Sequence, residues 1–318
     1  MIKLSLVIPV YNEIETLPQL IHRLDQLLPA LKEKVDVQAT QLEILFVNDG
    51  SRDGSFEYLL TQTDTHPHFK LVNLARNYGH QLATTAGVTT ASGEAVVIMD
   101  ADLQDPPEVI IDLYQAFQKG YDVVYATRKK RLGESLFKRA TAYLYYRTLN
   151  WLSGGGLPPE TGDFRLMSRR VVEAFKQMKE HKRLIRAMVS WVGFKQTGVL
   201  YTRDQRFAGK TKYSLPKMLA LALDGITGFS AFPLRMISYL GILTAGIAFM
   251  YSFYVLYSKI VTGTNVSGWT SLILIVLYLG GIQLIALGVM AEYISCIHIE
   301  TKNRPLYFIE NIYSQNAS

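Results

Sequence analysis

Residues 95–105 read AVVIMDADLQD, a short apolar run that passes directly into acidic residues. Ala95–Met99 is rich in β-branched side chains, which is typical of a buried strand. Asp100 and Asp102 follow where that strand would end. In open α/β sheets ligands bind beyond the carboxyl ends of the strands, so the pattern predicts a site at this edge.

The same pattern of strand and helix repeats through the N-terminal half of the chain. Four more strands are predicted, at Leu4–Val10, Leu42–Val47, Lys70–Leu74 and Tyr121–Tyr125. Segments of helical period separate them: Thr16–Leu31, Gly54–Gln62, His80–Thr90 and Pro107–Lys119. Alternation with uniformly apolar strands predicts an α/β fold with a mostly parallel sheet, covered on both faces.

Other polar residues also follow predicted strands. Tyr11, Asn12 and Glu13 come after the first strand, and Asp49 after the second. No G-x-G-x-x-G follows the first strand and no Walker lysine motif occurs, which excludes the dinucleotide-binding and P-loop patterns.

The acidic segment suits a divalent cation. Oxygen atoms of Asp100, Asp102 and Gln104 in an extended segment are ligands for Mg²⁺ or Mn²⁺, which keep waters and bridge to substrate phosphates. The alternative, for an isolated D-x-D, is a solvated acidic loop that caps the helix after Pro106. Asp49 and Glu13 after other strands favour a metal–nucleotide pocket.

Charge is distributed unevenly along the 318 residues. The net charge is −9 for residues 1–127, +15 for residues 128–217 and zero for the remainder. A basic block is typical of proteins that bind phosphate, nucleic acid or an anionic membrane surface. The single cysteine, Cys296, excludes a disulfide framework and a cysteine-based zinc site.

The C-terminal part predicts two membrane-spanning helices. Met236–Ser258 contains no Asp, Glu, Lys or Arg, and Trp269–Ala291 is a second apolar run. A helix of 23 residues is about 35 Å long, enough for a bilayer core of about 30 Å. Basic residues flank the outer ends of this hairpin, so both termini are expected in the cytoplasm. Residues 214–231 predict an interfacial helix, with a soluble core helix as the alternative.

Ordered motifs along nearly the whole chain resemble a known family. They are IPVYNE (8–13), VNDGS (47–51), LARNYGH (74–80), MDADLQDPPE (99–108), GDFRLMSR (162–169), RFAGKTKYS (206–214), FPLR (232–235) and AEYI…KNRPLY (291–307). The set resembles the polyisoprenyl-phosphate glycosyltransferases of glycosyltransferase family 2, which have the GT-A fold. Within the family it is most similar to bactoprenol (undecaprenyl-phosphate) glucosyltransferases.

This resemblance implies an inverting, metal-dependent enzyme that transfers glucose from UDP-glucose to a polyprenyl phosphate, with Mg²⁺ or Mn²⁺ as cofactor. It implies a nucleotide-sugar site with Pro9, Tyr11, Glu13, Asp49 and Asp100, and a metal site with Asp100, Asp102 and Gln104. The implied catalytic residues are Asp102, Asp163 and Arg206, and the implied acceptor-phosphate ligands are Arg128, Arg139 and Lys212. Lys210 departs from the family pattern.

Four segments are expected: a cytosolic GT-A domain (1–213), a juxtamembrane helix (214–231), a transmembrane hairpin (232–298, helices about 234–258 and 269–293) and a cytosolic tail (299–318). The expected location is the bacterial inner membrane. A homo-oligomer and a functional link to a lipid-sugar flippase are expected. Binding of nucleic acid is not expected.

The sequence leaves other functions open. The donor could be another sugar, such as GDP-mannose or a UDP-aminoarabinose derivative. A processive polysaccharide synthase should carry a Q-x-x-R-W motif and more spans, neither of which is present. A non-enzymatic, nucleotide-binding membrane anchor would leave the D-x-D and Asp49 unused.

Overall fold

The computed structural model describes residues 1–128, 161–203, 232–257, 260–261 and 268–315. These residues belong to two units. The first contains the described residues up to 203 together with 305–315, and the second contains the described residues from 232 to 304.

In the described part of the first unit, eight strands form one sheet. In chain order the strands are β1 (Leu4–Val10), β2 (Leu42–Asn48), β3 (Phe69–Leu74), β4 (Ala95–Ile98), β5 (Val123–Arg128), β6 (Thr161–Ser168), β7 (Gln196–Tyr201) and β8 (Ile309–Ser314). Across the sheet they lie in the order β7-β5-β6-β4-β1-β2-β3-β8.

Most neighbouring strands are parallel. β1 pairs in parallel with β2 and β4, β2 with β3, and β5 with β7. β6 is antiparallel to both β4 and β5, and β8 is antiparallel to β3. The prediction of a mostly parallel α/β sheet is confirmed. The insertion of β6 between β4 and β5 was not predicted.

Six α-helices of the described residues accompany the sheet: α1 (Leu17–Val35), α2 (Ser55–Thr65), α3 (His80–Thr90), α4 (Val109–Gln118), α5 (Arg169–Gln177) and α6 (Ile185–Trp191). α1 buries Leu17, Leu20, Leu24, Leu27 and Leu31, whose spacing of three and four residues forms one apolar stripe. α3 packs closely against β1 and β2 at Gly87. A Cβ atom at this position would lie only 2.3 Å from Val7 Cγ1, so the close approach requires glycine.

The last strand brings the end of the chain back to the first unit. β8 pairs with β3 at the edge of the sheet. Asn73 Nδ2 donates to Glu310 Oε2 at 2.8 Å, and the hydroxyls of Thr89 and Tyr307 are 2.5 Å apart. The sequence-based division leaves residues 299–318 as a separate tail, whereas the structure gives residues 309–314 a place in the sheet.

The described part of the second unit contains two long helices, α7 (Phe232–Tyr257) and α8 (Trp269–Thr301). α7 and the Tyr278–Thr301 part of α8 are long and apolar enough to cross a membrane, and neither is buried against protein. α8 continues beyond the predicted end at about residue 293. The predicted interfacial helix, residues 214–231, lies outside the described residues.

Candidate active site

The polar residues that follow the strands collect at the carboxyl edge of the sheet. Two groups can be distinguished. One lies beyond β1 and β2, and the other lies beyond β4 beside β6.

The loops after β1 and β2 are joined by hydrogen bonds. Asn12 has a left-handed backbone (φ 53°), a conformation that Asn adopts more readily than most residues. Its Oδ1 accepts from the Arg52 N–H at 2.8 Å, and its N–H donates to Ser51 Oγ at 3.1 Å. The Glu13 N–H donates to Ser55 Oγ at 3.0 Å. Tyr11, between these anchors and β1, is 41% exposed.

Asp49 holds the loop that precedes α3. Its two carboxylate oxygens accept from the N–H groups of Tyr78 at 2.7 Å and Gly79 at 2.9 Å. Burial raises the pKa of Asp49, and these two hydrogen bonds only partly oppose the shift. The predicted nucleotide residues Pro9, Tyr11, Glu13 and Asp49 therefore share one region, in which Asp49 also has a structural task.

The loop after β4 carries the predicted metal ligands. The structure differs from the extended segment expected, because the chain turns from residue 101 onward. Leu103 is buried with a left-handed backbone (φ 59°), an unfavourable conformation for leucine. Asp102 is 9% exposed, and its Oδ1 accepts from the Gln104 N–H at 3.1 Å. The loop is thus fixed by a buried anchor and a local turn.

Asp105, at the end of the same loop, does not cap the following helix. Its Oδ1 accepts the hydroxyl of Tyr201 and lies 3.4 Å from Arg203 Nε. Burial and the charge of Asp105 raise the pKa of Tyr201 to about 12. α4 begins after Glu108 with no side-chain cap. Asp105 therefore connects the acidic loop to the end of β7. The alternative, a solvated acidic loop that caps the following helix, is wrong.

Asp163 lies beside Asp100 because of the unpredicted strand β6. Ile98 pairs with Arg165 in an antiparallel register, so two residues after Ile98 and two residues before Arg165 bring Asp100 opposite Asp163. His80, the first residue of α3, lies between them: its Nε2 is 3.5 Å from Asp100 Oδ1 and 3.6 Å from Asp163 Oδ2. Burial alone would lower the pKa of His80, but Asp163 and Asp100 raise it to about 9.

Both oxygens of Asp163 have partners. Gln81 Nε2 donates a hydrogen bond to Oδ2 at 3.0 Å, whereas Oδ1 forms an ion pair with Arg186, whose Nε is 3.4 Å away, and has no hydrogen bond to the described residues. Although burial would raise the pKa of Asp163, His80, Arg186 and Arg165 hold it well below its usual range. Asp100 differs, since burial raises its pKa to about 6 against the effect of His80.

Arg128 ends β5 on the same side of the sheet. Its Nε donates to the Tyr201 hydroxyl at 3.4 Å. A Cβ at Gly162 would lie only 3.0 Å from Arg128 Nη2, so the glycine leaves room for the guanidinium. Arg128 and Asp105 thus meet at Tyr201, which connects the acidic loop with this predicted phosphate ligand.

The predicted site residues have different outcomes. Asp100, Asp102, Gln104 and Asp163 are neighbours in the structure, and Arg128 lies near the loop through Tyr201. Arg139, Arg206 and Lys212 lie outside the described residues. His80, Gln81 and Arg186 were missed, although His80 belongs to a quoted motif. His80 and Gln81 lie at the start of α3, and Arg186 lies at the start of α6. A position at the start of a helix does not by itself indicate a functional residue in the sequence.

Asp100 and Asp102 fit the protein's share of a divalent-cation site. Asp100 Oδ1 is buried and has no hydrogen bond to the described part of the chain. The described residues contain no group of three or more His, Cys, Asp or Glu side chains that could bind a metal ion without further ligands. Mg²⁺ is commonly held by one or two carboxylates, with water and substrate phosphate completing the shell.

The family described as Glycosyl transferase family 2 matches residues 5–175. The uncharacterized glycosyltransferase YkcC of Bacillus subtilis is 49% identical over 98% of this chain and 94% of its own length. A prophage bactoprenol glucosyl transferase homolog of Escherichia coli is 40% identical over 98% of this chain and 99% of its own.

Among solved structures, mannosyl-3-phosphoglycerate synthase of Rubrobacter xylanophilus is similar with a TM-score of 0.46 and 16% identity, over 74% of each chain. The family match covers more than half of the chain, and the full-length relatives agree with it. The chain therefore belongs to glycosyltransferase family 2.

Proposed function

We propose that this glycosyltransferase transfers glucose from UDP-glucose to a polyprenyl phosphate such as undecaprenyl phosphate, with inversion at the anomeric carbon. The observation that carries the proposal is the meeting of Asp100 and Asp163 across His80, in a chain 40% identical over nearly its full length to a bactoprenol glucosyl transferase homolog.

Each group of residues has a place in this proposal. Tyr11, Glu13 and Asp49, beyond β1 and β2, bind the nucleotide together with Pro9. Asp100, Asp102 and Gln104 face the diphosphate of the donor. Arg128 binds phosphate at the end of β5, and the residues predicted to assist it are Arg139, Arg206 and Lys212.

Asp163 acts by its charge and orientation. A phosphate monoester has a second pKa near 6, so a lipid phosphate is mostly ionised at pH 7 and needs little help to lose a proton. Asp163, with its pKa held low by His80, Arg186 and Arg165, is a weak proton acceptor. It therefore fits a role in aligning the reactants and stabilising positive charge that develops on the sugar.

Asp100 and Asp102 would hold the divalent cation, Mg²⁺ or Mn²⁺. When bound, such a cation neutralises charge on the diphosphate leaving group. Burial is the largest cause of the raised pKa of Asp100, and the charges of Asp163, Asp105 and Asp102 raise it further. A cation at this position would offset that concentration of negative charge.

α7 and α8 anchor the enzyme in the bacterial inner membrane, with the first unit and both termini in the cytoplasm. A hairpin that crosses twice returns the chain to the side from which it left. The pairing of β8 with β3, in the sheet that also contains β1, supports this arrangement. The apolar acceptor lipid is available only at such a membrane.

Self-association and a downstream partner belong to the same proposal. Small residues let transmembrane helices approach closely, and Gly280, Gly281 and Gly288 on α8 offer such a surface. A product made on the cytoplasmic face would require a lipid-sugar flippase before use outside the cell.

The proposal is tested with purified full-length protein in lipid nanodiscs, undecaprenyl phosphate and either Mg²⁺ or Mn²⁺. UDP-glucose, GDP-mannose and a UDP-aminoarabinose derivative are supplied separately, and the extracted lipid is weighed by mass spectrometry. We expect a hexose adduct with UDP-glucose alone. An adduct with another donor would replace the proposed sugar, and no adduct with any donor would refute the proposed reaction.

A further inference from the structure

We infer that Gln81 is a positioning residue, whose carboxamide fixes the carboxylate of Asp163 against the start of α6. The inference rests on the proposed function, because it concerns how one aspartate of that site is held. It assigns a task to a residue outside every predicted set of ligands.

The carboxamide of Gln81 is used at both ends. Its Nε2 donates to Asp163 Oδ2 at 3.0 Å, and its Oε1 accepts from the Ile185 N–H at 2.9 Å. These contacts allow one orientation only, since a flipped amide would place oxygen against the carboxylate and NH₂ against an N–H donor. Gln81 is therefore held as a bridge between Asp163 and the helix.

The start of α6 supplies the second support. The first N–H groups of a helix have no acceptor within the helix, and Gln81 satisfies that of Ile185, whose side chain is fully buried. The next residue, Arg186, places Nε 3.4 Å from Asp163 Oδ1. One oxygen of the carboxylate is thus held by a hydrogen bond from α3, and the other is held by an ion pair from α6.

This double hold fixes the rotation of the Asp163 side chain. The side chain is 9% exposed, and Oδ2 also faces His80. Without the Gln81 donor the carboxylate could turn away from the position that faces Asp100. A displacement of about 1 Å in a reacting geometry can lower turnover by roughly 100-fold.

Two substitutions separate positioning from simple anchoring of the helix. Gln81→Leu removes both hydrogen bonds. Gln81→Glu keeps an acceptor for the Ile185 N–H but replaces the donor to Asp163 with a second carboxylate oxygen. Gln196→Leu is the matched control, because Gln196 Nε2 contacts Ser190 O at 3.3 Å and so holds the other end of α6 without touching Asp163.

The experiment measures kcat and KM for UDP-glucose, with undecaprenyl phosphate, together with Tm, for full-length protein in nanodiscs. We expect both Gln81 variants to lose about 10- to 100-fold in kcat with KM within about twofold of wild type. Gln196→Leu should keep the wild-type kcat. If Gln81→Leu does not fold, Gln81→Glu provides the same comparison.

Three results would overturn the inference alone: a Gln81→Glu variant with wild-type kcat, a Gln196→Leu variant with an equal loss, or a loss confined to KM. A folded wild type that forms no glucolipid would instead overturn the proposed function, and this inference with it.

Discussion

The carboxylate of Glu43 provides a sharp test of how the sheet is stabilised away from the site. Glu43 is 2% exposed on β2. Its Oε1 accepts from Ser5 Oγ and from the Ser92 N–H, each at 2.5 Å, and from Ser92 Oγ at 2.8 Å. Lys70 Nζ lies 2.7 Å from Oε2. One buried charge on β2 is therefore bonded to β1, to β3 and to the turn that precedes β4.

Glu43→Gln keeps the shape of this side chain and removes its charge. A hydrogen bond to a charged group contributes about 1 kcal/mol more than a neutral one, and two to four of the bonds at Glu43 are affected. We therefore expect a loss of roughly 2–4 kcal/mol in the free energy of unfolding. For a unit of this size that lowers Tm on the order of 10 °C.

The effect should depend on pH in a definite direction. Burial would raise the pKa of Glu43, but the bonds from Lys70, Ser5 and Ser92 lower it overall. The ionised form thus stabilises the fold. That contribution is complete above the pKa of an unfolded glutamate, about 4.3, and is lost as the pH falls through the lower pKa of the folded state.

The assay is thermal unfolding of full-length protein in detergent micelles, followed by near-UV circular dichroism between pH 8 and the acid limit of solubility. Glu57→Gln, on the exposed face of α2, is the control and should lower Tm much less than Glu43→Gln, because an exposed charge in the first turn of a helix contributes only about 0.3–1 kcal/mol. The difference between wild type and Glu43→Gln should stay constant at neutral pH and shrink below about pH 4.3. Equal Tm values at pH 7, or a difference that persists unchanged in acid, would refute this reasoning.

Two further substitutions test single contacts, and a pair of C-terminal fusions tests the position of β8. Gly87→Ala should destabilise the first unit by about 1–3 kcal/mol in thermal unfolding, because the new Cβ would lie 2.3 Å from Val7 Cγ1 and 2.8 Å from Val47 Cγ2; unchanged stability would contradict that close packing. Tyr201→Phe should cost about 1.5–3 kcal/mol in the same measurement, since buried Asp105 loses its hydroxyl donor; a neutral effect would argue against that bond. A fluorescent protein fused to the C-terminus should fluoresce and alkaline phosphatase fused there should be inactive, because β8 returns to the sheet; the opposite pair of results would exclude a cytoplasmic C-terminus.

The bounds of strands β1–β4 and of helix α3 were predicted closely, because the pattern of apolar residues within each segment is sufficient to identify it. β1 and β2 are buried along their full length, and an uninterrupted apolar run is what a parallel, doubly covered strand requires. β8 could not be found in this way. Its sequence IENIYS is half polar, and it forms a strand because β3, more than 230 residues earlier, offers an open edge.

The candidate site was predicted in part for the same reason. Asp100 and Asp102 directly follow a strand, so their place at the edge of the sheet could be derived. The proximity of Asp163 depends on an antiparallel strand inserted between β4 and β5, which no local pattern specifies. His80 and Gln81 begin a helix, and their contacts with Asp163 depend on that same insertion.

The most direct test of the central claim is the rate of glucose transfer from UDP-glucose to undecaprenyl phosphate in nanodiscs. Wild type is compared with Asp102→Asn and Asp163→Asn, after thermal unfolding has shown that each variant has the same Tm as wild type. The account predicts a glucolipid from wild type and a loss of at least about 100-fold in kcat for both variants, because both carboxylates act on charge in the transition state. Wild-type turnover by folded Asp102→Asn and Asp163→Asn protein would place the reaction elsewhere and contradict the account.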